Sequence, residues 1–340
     1  MRYLRLLVFF VCTFLTFTQI IAQGPNDSGT YYQTADGKKG AELKTALCGV
    51  IYNRNEGGDL NTAYKALWTH FRTTDAKPNG KVWDMYSNKV EFEFGTNQDT
   101  GSGNQEGLYY NREHSMPNSW FGGKVMPMYT DLHHMYPTDK IVNNKRSNFP
   151  FGETNGESYK SANDFSKLGK CTFEGYNGTV FEPNDEYKGD FARTYFYMVT
   201  CYEEQIPTWY TSFADAQPTL DGNKYPGLSA WQLKMLMKWA KNDPVSEKEI
   251  NRNNAVYNIQ KNRNPFIDYP GLEEYIWGDK KDVAFSYDNY ATSIQDITTS
   301  GVQDVKQDIY GADGQLRRTY QRGLNIVKQE NGRTYKIIRR

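Results

Sequence analysis

The chain has 340 residues, enough for one or two domains with a sizeable core. Its 40 Lys and Arg balance 40 Asp and Glu, which excludes a histone-like polycation but not an enzyme with a local basic groove. Aromatic residues make up 15% of the chain, so packing material is plentiful.

The start, MRYLRLLVFFVCTFLTFTQIIAQ, places Arg2 and Arg5 before an apolar run that ends at Ala22. That is the pattern of a secretory signal peptide cleaved after Ala22, and it is too short and too well placed for a spanning helix. Cys12 leaves with it, and Cys48, Cys171 and Cys201 remain. They allow at most one internal bridge, and its pairing stays open. No CxxC spacing is present, which argues against a cysteine zinc site.

Residues 40–53 carry Leu43, Leu47, Val50 and Ile51 at helical spacing, and residues 60–75 repeat the pattern with Tyr64, Leu67, Trp68 and Phe71. His70 rides on the second helix and reads as a packed or solvated side chain. Residues 81–87, 106–113 and 129–137 read as strands. Residues 138–148 read as a short helix with Thr138 as N-cap and Asp139 in the first turn. CTFEGYNGTVFEP (171–183) reads as a hairpin about Asn177-Gly178. Residues 187–204, 229–243 and 245–262 read as helices, the last stopped by Asn264-Pro265. Near residue 296 the character changes to a linker and then short strands around Gly-containing turns. Residues 315–340 hold eight Lys or Arg against the single acid Glu330.

Polar residues concentrate between 109 and 148: Glu113, His114, Asp131, His133, His134, Asn143, Arg146 and Asn148. Two strands and a short helix here fold into a compact ββα unit, with strand His and helix Asn facing across a cleft. Neighbouring strand residues point to opposite faces, so Glu113 and His114 share one site only where the strand ends or bulges. Pro117 supplies a reason to end, and a broken β geometry at this dipeptide is the expectation. Carboxylate and amide oxygens suit a hard cation such as Mg²⁺, and a neutral imidazole accepts a proton from water. HExxH order is reversed in EHSMP and its second His is missing, so a zinc-protease reading does not fit. Residue types alone leave two readings of Glu113-His114 open: a loop holding a stray histidine, or a metal ligand beside a base.

The blocks NREHSMPNSW, DLHHMYPTDKIVNNKRSNFPFGE, FEPNDEYKGDFARTYFYM and WAKNDPVSEKEINRNNAVYNIQKNRNPFID stand in one order between about residues 40 and 278. Together they resemble the bacterial endonuclease I family, extracellular or periplasmic nonspecific nucleases of the ββα-metal (His-Me finger) class. The resemblance implies an α+β fold, mainly helical around the ββα core. It implies Mg²⁺-dependent hydrolysis of DNA, and often RNA, to 5′-phosphates, with Ca²⁺ or Mn²⁺ as substitute metals. It places His114 on the general base, and Glu113 and Asn143 on the metal ligands. Residues 115–142 lack the arginine that relatives carry there, and Lys124, His134 and Arg146 are the candidate replacements. Lys124, Lys140, Lys145 and Asn148 are the expected nucleic-acid contacts.

The expected layout is a signal peptide (1–22), a nuclease domain (23–295), and a linker with a β-rich module (296–340). That last segment resembles the sorting segments of type IX secretion, which implies a secretion machinery as partner; its rival reading is a basic module adding DNA affinity. A secreted or periplasmic monomer with no membrane span is expected. The competing functions are a metal-dependent phosphodiesterase for small substrates and a non-catalytic exported nucleic-acid-binding protein.

Overall fold

The structure is a computed structural model that describes residues 28–52, 60–99, 104–288, 290, 307–311, 315–317, 323–329 and 334–339. The signal segment, its cleavage point and the linker after residue 290 lie outside the described residues. The chain divides into two compact units, Met1–Tyr290 and Ala291–Arg340. Helix accounts for 43% and strand for 14%, so the chain is α+β with helix predominating.

In the first unit the helices are α1 (Gly40–Ile51), α2 (Leu60–Thr74), α3 (Lys140–Arg146), α4 (Lys188–Cys201), α5 (Ile206–Ser212), α6 (Ala230–Asn242), α7 (Glu247–Gln260), α8 (Pro265–Asp268) and α9 (Leu272–Ile276). Helix α4 is the core element, buried on every face from Gly189 to Cys201. A helix buried all round lies inside a protein whatever its few polar groups, and α1, α6 and α8 pack on α4. Its buried charged groups are paired, whereas the buried Thr200 hydroxyl has no hydrogen-bond partner among the described residues. Arg193 forms a bidentate bridge to Glu249 at 2.5 and 2.9 Å, and Asp190 pairs with Lys248. Helix α7 opens with a capping box between Ser246 and Glu249. It ends at Lys261 in a left-handed conformation, before Asn264, which instead caps α8. Helices α2 and α7 enclose a second cluster of Leu67, Phe71, Leu132, Met135 and Val256.

Strands β1 (Tyr110–His114) and β2 (Met135–Asp139) pair antiparallel, and α3 follows β2 at once. Strands β3 (Tyr159–Lys160), β4 (Lys167–Lys170) and β5 (Thr179–Glu182) form a separate antiparallel sheet in that order. The second unit is an antiparallel sheet of β6 (Gln307–Gly311), β7 (Leu316–Arg317), β8 (Gly323–Gln329) and β9 (Thr334–Arg339), in spatial order β7-β6-β8-β9.

Several local expectations are corrected. Residues 81–87 form no strand, only isolated bridges at Lys81 and Val82. The Asp84 carboxylate accepts the Tyr86 and Ser87 amides, a side-chain turn that diverts the chain. Pairing in 129–137 begins only at Met135, because the Asp131 side chain accepts the His133 amide in the same manner. The first expected strand of this pair starts at Tyr110 rather than 106. The hairpin is displaced: its first strand is β4, and 171–178 is a loop whose Tyr176 stacks on Trp231 of α6. The N-cap of α3 is Asp139, not Thr138. Asp139 Oδ1 accepts the Ile141 and Val142 amides, whereas the buried Thr138 hydroxyl has no hydrogen-bond partner among the described residues. Asp139→Ala is therefore expected to lower stability by about 1–2 kcal/mol in urea unfolding, while Thr138→Val is near neutral. The reverse ranking would return the cap to Thr138.

Candidate active site

Strand β1 runs unbroken through both residues of interest, with Glu113 opposite Tyr136 and His114 opposite Met135. The strand ends at His114, where the chain was expected to turn ahead of Pro117, while pairing stays regular through the dipeptide itself. Regular alternation then sorts β1 into two faces. Asn111 and Glu113 face α3, and Arg112 and His114 face α2 and the loop before β2.

On the α3 face, Glu113 is buried, and its Oε1 accepts the Tyr86 hydroxyl at 2.7 Å and meets Arg146 Nη1 at 3.2 Å. Asn143 Nδ2 donates to Asn111 Oδ1 at 2.8 Å, and the Asn143 side chain lies near enough to Glu113 to favour its charged form. Burial raises the Glu113 carboxyl above its ordinary value, while Arg146, Tyr86 and Asn143 oppose the rise. Burial likewise works against the Arg146 charge, but Glu113 outweighs it and holds the guanidinium firmly protonated.

Arg146 is 1% exposed. Nη1 donates to the carbonyls of His114 (3.1 Å) and Ser147 (3.3 Å), and Nη2 to the Ser115 carbonyl and the Tyr195 hydroxyl. Its guanidinium lies 5.0 Å from the Phe151 ring centre. It ties the end of β1 to α3 and has no surface left to offer a phosphate.

On the other face, His114 Nε2 lies 2.9 Å from the Tyr129 carbonyl oxygen. A carbonyl only accepts, so Nε2 carries the hydrogen and the lone pair of the neutral ring sits on Nδ1. Burial, reinforced by neighbouring His134, pushes the imidazole down to about 3, so it is neutral at pH 7. The His134 ring lies 5.6 Å from it, with Nε2 donating to the adjacent carbonyl of Met128 at 2.6 Å. His134 Nδ1 is buried with no hydrogen-bond partner among the described residues. His133 turns the other way, against Tyr197 (4.4 Å) and the Asn262 carbonyl (3.2 Å).

The remaining expected contacts are scattered. Lys140 and Lys145 lie on α3 over the rings of Tyr109 (6.0 Å) and Tyr159 (5.5 Å). Lys124 is exposed in the loop after Phe121, and Asn148 donates to Asp215. Sequence reading passed over Asn111, Arg112, Tyr64 and Tyr86. The period of two in NREH already pairs Asn111 with Glu113 and Arg112 with His114, whereas nothing local marks Tyr64 or Tyr86.

The donor chemistry fits a hard divalent cation. Tyr86 and Arg146 both engage Oε1 of Glu113, so the two-oxygen carboxylate keeps acceptor capacity, and the amide of the half-buried Asn143 lies beside it.

The family model Endonuclease I matches residues 39–271. The chain belongs to the endonuclease I family. Its membership makes it a nuclease. It is 34% identical over 261 residues to an extracellular ribonuclease of Bacillus amyloliquefaciens, covering 74% of this chain and 79% of that protein. An extracellular ribonuclease of Bacillus subtilis (strain 168) is 33% identical over 260 residues, with the same coverage of 74% and 79%. An extracellular deoxyribonuclease of Aeromonas hydrophila is 27% identical over 140 residues, 41% of this chain and 49% of that one. The family match spans every helix from α1 to α8, including the whole β1–β2–α3 unit and both faces of β1.

Proposed function

We propose that this chain is a secreted, metal-dependent endonuclease of the ββα-metal (His-Me finger) class that hydrolyses phosphodiester bonds of RNA and DNA to 5′-phosphate products. The observation that carries the reading is His114. Its ring is neutral, its tautomer is set by a backbone carbonyl, and it ends the strand whose Asn111 is bonded to Asn143. Glu113 and His114 lie on opposite faces of β1, so this reading requires the phosphate to sit across the end of that strand, where His114 is the last residue; there its Nδ1 lone pair takes a proton from the attacking water. Glu113 and Asn143 would hold Mg²⁺, which would supply charge neutralisation at the phosphate. Arg146 holds Glu113 and the end of β1 in place. Lys140, Lys145, Lys124 and Asn148 contact the phosphate backbone, which carries no base information, so sequence preference is weak.

Relatives named as extracellular, both ribonuclease and deoxyribonuclease, support secretion and a nucleic-acid substrate of either sugar. The apolar start up to Ala22 serves as signal peptide, residues 23–295 as the nuclease, and 296–340 as linker and sorting-like module.

The test is incubation of the purified protein with plasmid and with RNA, with and without Mg²⁺. Cleavage is expected with the metal, to be abolished by EDTA and restored by excess Mg²⁺. Persistent cleavage in EDTA would sink the metal role. Turnover of a chromogenic phosphate diester with no cutting of either polymer would move the function to small substrates.

A further inference from the structure

The His114 face of β1 is built in flat layers. The Tyr129 ring stacks on the imidazole with centroids 4.9 Å apart at 24°, and Tyr64 of α2 lies parallel to it at 6.1 Å and 10°. Tyr64 in turn stacks on Tyr129 at 4.5 Å. The Arg112 guanidinium lies 3.7 Å from the Tyr64 ring centre and 4.5 Å from that of Trp68. Arg112 also donates from Nη1 to the Tyr64 carbonyl at 2.9 Å and from Nη2 to Asp99 at 2.9 Å.

From this arrangement we infer that Tyr64 and Arg112 are positioning residues for the base, an inference that rests on reading His114 as that base. One hydrogen bond from Nε2 fixes a single point of the imidazole and leaves the ring free to swing about it. Aiming Nδ1 requires the plane to be fixed as well, and the parallel rings of Tyr129 and Tyr64 do that. Tyr64 belongs to a different element, α2, so something must hold α2 against β1 at this level. Arg112 does so by stacking on the Tyr64 ring and bonding its carbonyl from the same strand that carries His114. The Arg112 side chain is only 9% exposed and lies against two rings, which makes it a clamp rather than a phosphate contact. A lysine keeps the charge but loses both the fork and the flat face.

Steady-state cleavage by the full chain in Mg²⁺, comparing wild type with His114→Ala, Tyr64→Phe, Tyr64→Leu, Arg112→Lys and Tyr64→Leu/Arg112→Lys, tests this. Near-UV circular dichroism and thermal melts check each fold. Tyr64→Phe keeps the stack and is expected within about twofold of wild type. Tyr64→Leu is expected to lower kcat by about 10- to 100-fold with KM within about twofold, the signature of a misaimed group. Arg112→Lys lowers kcat in the same manner. The double variant falls no further than the worse single one, because both act through one ring. Wild-type kcat in Tyr64→Leu, or a loss confined to KM, overturns the inference alone. Undiminished cleavage by His114→Ala overturns the base assignment and this inference with it. If Tyr64→Leu does not fold, Arg112→Lys carries the same kcat test with Tyr64 in place.

Discussion

His114→Ala is expected to lower kcat for plasmid and RNA cleavage by about 10²- to 10⁴-fold, the range of a positioned general base, while nucleic-acid binding persists. The argument runs through the tautomer. Because Nε2–H is spent on the Tyr129 carbonyl, Nδ1 is the basic atom, and burial keeps it unprotonated at neutral pH. The nearby imidazole of His134 has its own Nε2–H on the Met128 carbonyl, so it sits in the same tautomer. It is fully buried, so it does not replace His114 at the water. Gel-based rates with Mg²⁺ present, alongside a filter-binding measurement, separate chemistry from binding. Full activity in the variant would falsify the base assignment.

Arg146→Met is expected to cost about 3–5 kcal/mol in urea unfolding and to reduce cleavage as well. The substitution leaves the Glu113 carboxylate buried without its cation, and the Ser147, His114 and Ser115 carbonyls without a donor they now share. Breaking one side of a buried pair is costly because the remaining charge stays out of water. The contrast is Lys234→Ala. Its pair with Glu174 is more than half exposed on both sides, so no measurable loss is expected there. Equal stability of Arg146→Met and wild type would show that Arg146 does not anchor the strand end.

How much was legible can be judged from particular residues. The helices were, because apolar residues at a period of 3.6 write the buried face directly: Leu43, Leu47 and Ile51 on α1, and Leu67 and Phe71 on α2, are all buried. The misread strands share a cause. Asp84 and Asp131 each bend the chain by accepting backbone amides, and their neighbours' β propensity gives no sign of it. The N-cap slipped by one residue because Thr138 and Asp139 are both good caps by type, and only the geometry shows which side chain reaches the amides.

For the candidate site, the sequence by itself determined which residue types stand in which order: Glu113 beside His114 at a strand end, and Asn143 and Arg146 one helical turn apart. The family was named from the resemblance of four ordered sequence blocks, not from these residues alone. Only the tertiary structure decided what each group touches. It put Glu113 and His114 on opposite faces of an unbroken strand, buried Arg146 behind Glu113, and brought Tyr86 and Tyr64 in from 27 and 50 residues away to bond the carboxylate and to stack beside the imidazole. The reason is physical. Alternation and capping depend on neighbours along the chain, but burial, pairing and ring stacking depend on which distant segments the core draws together.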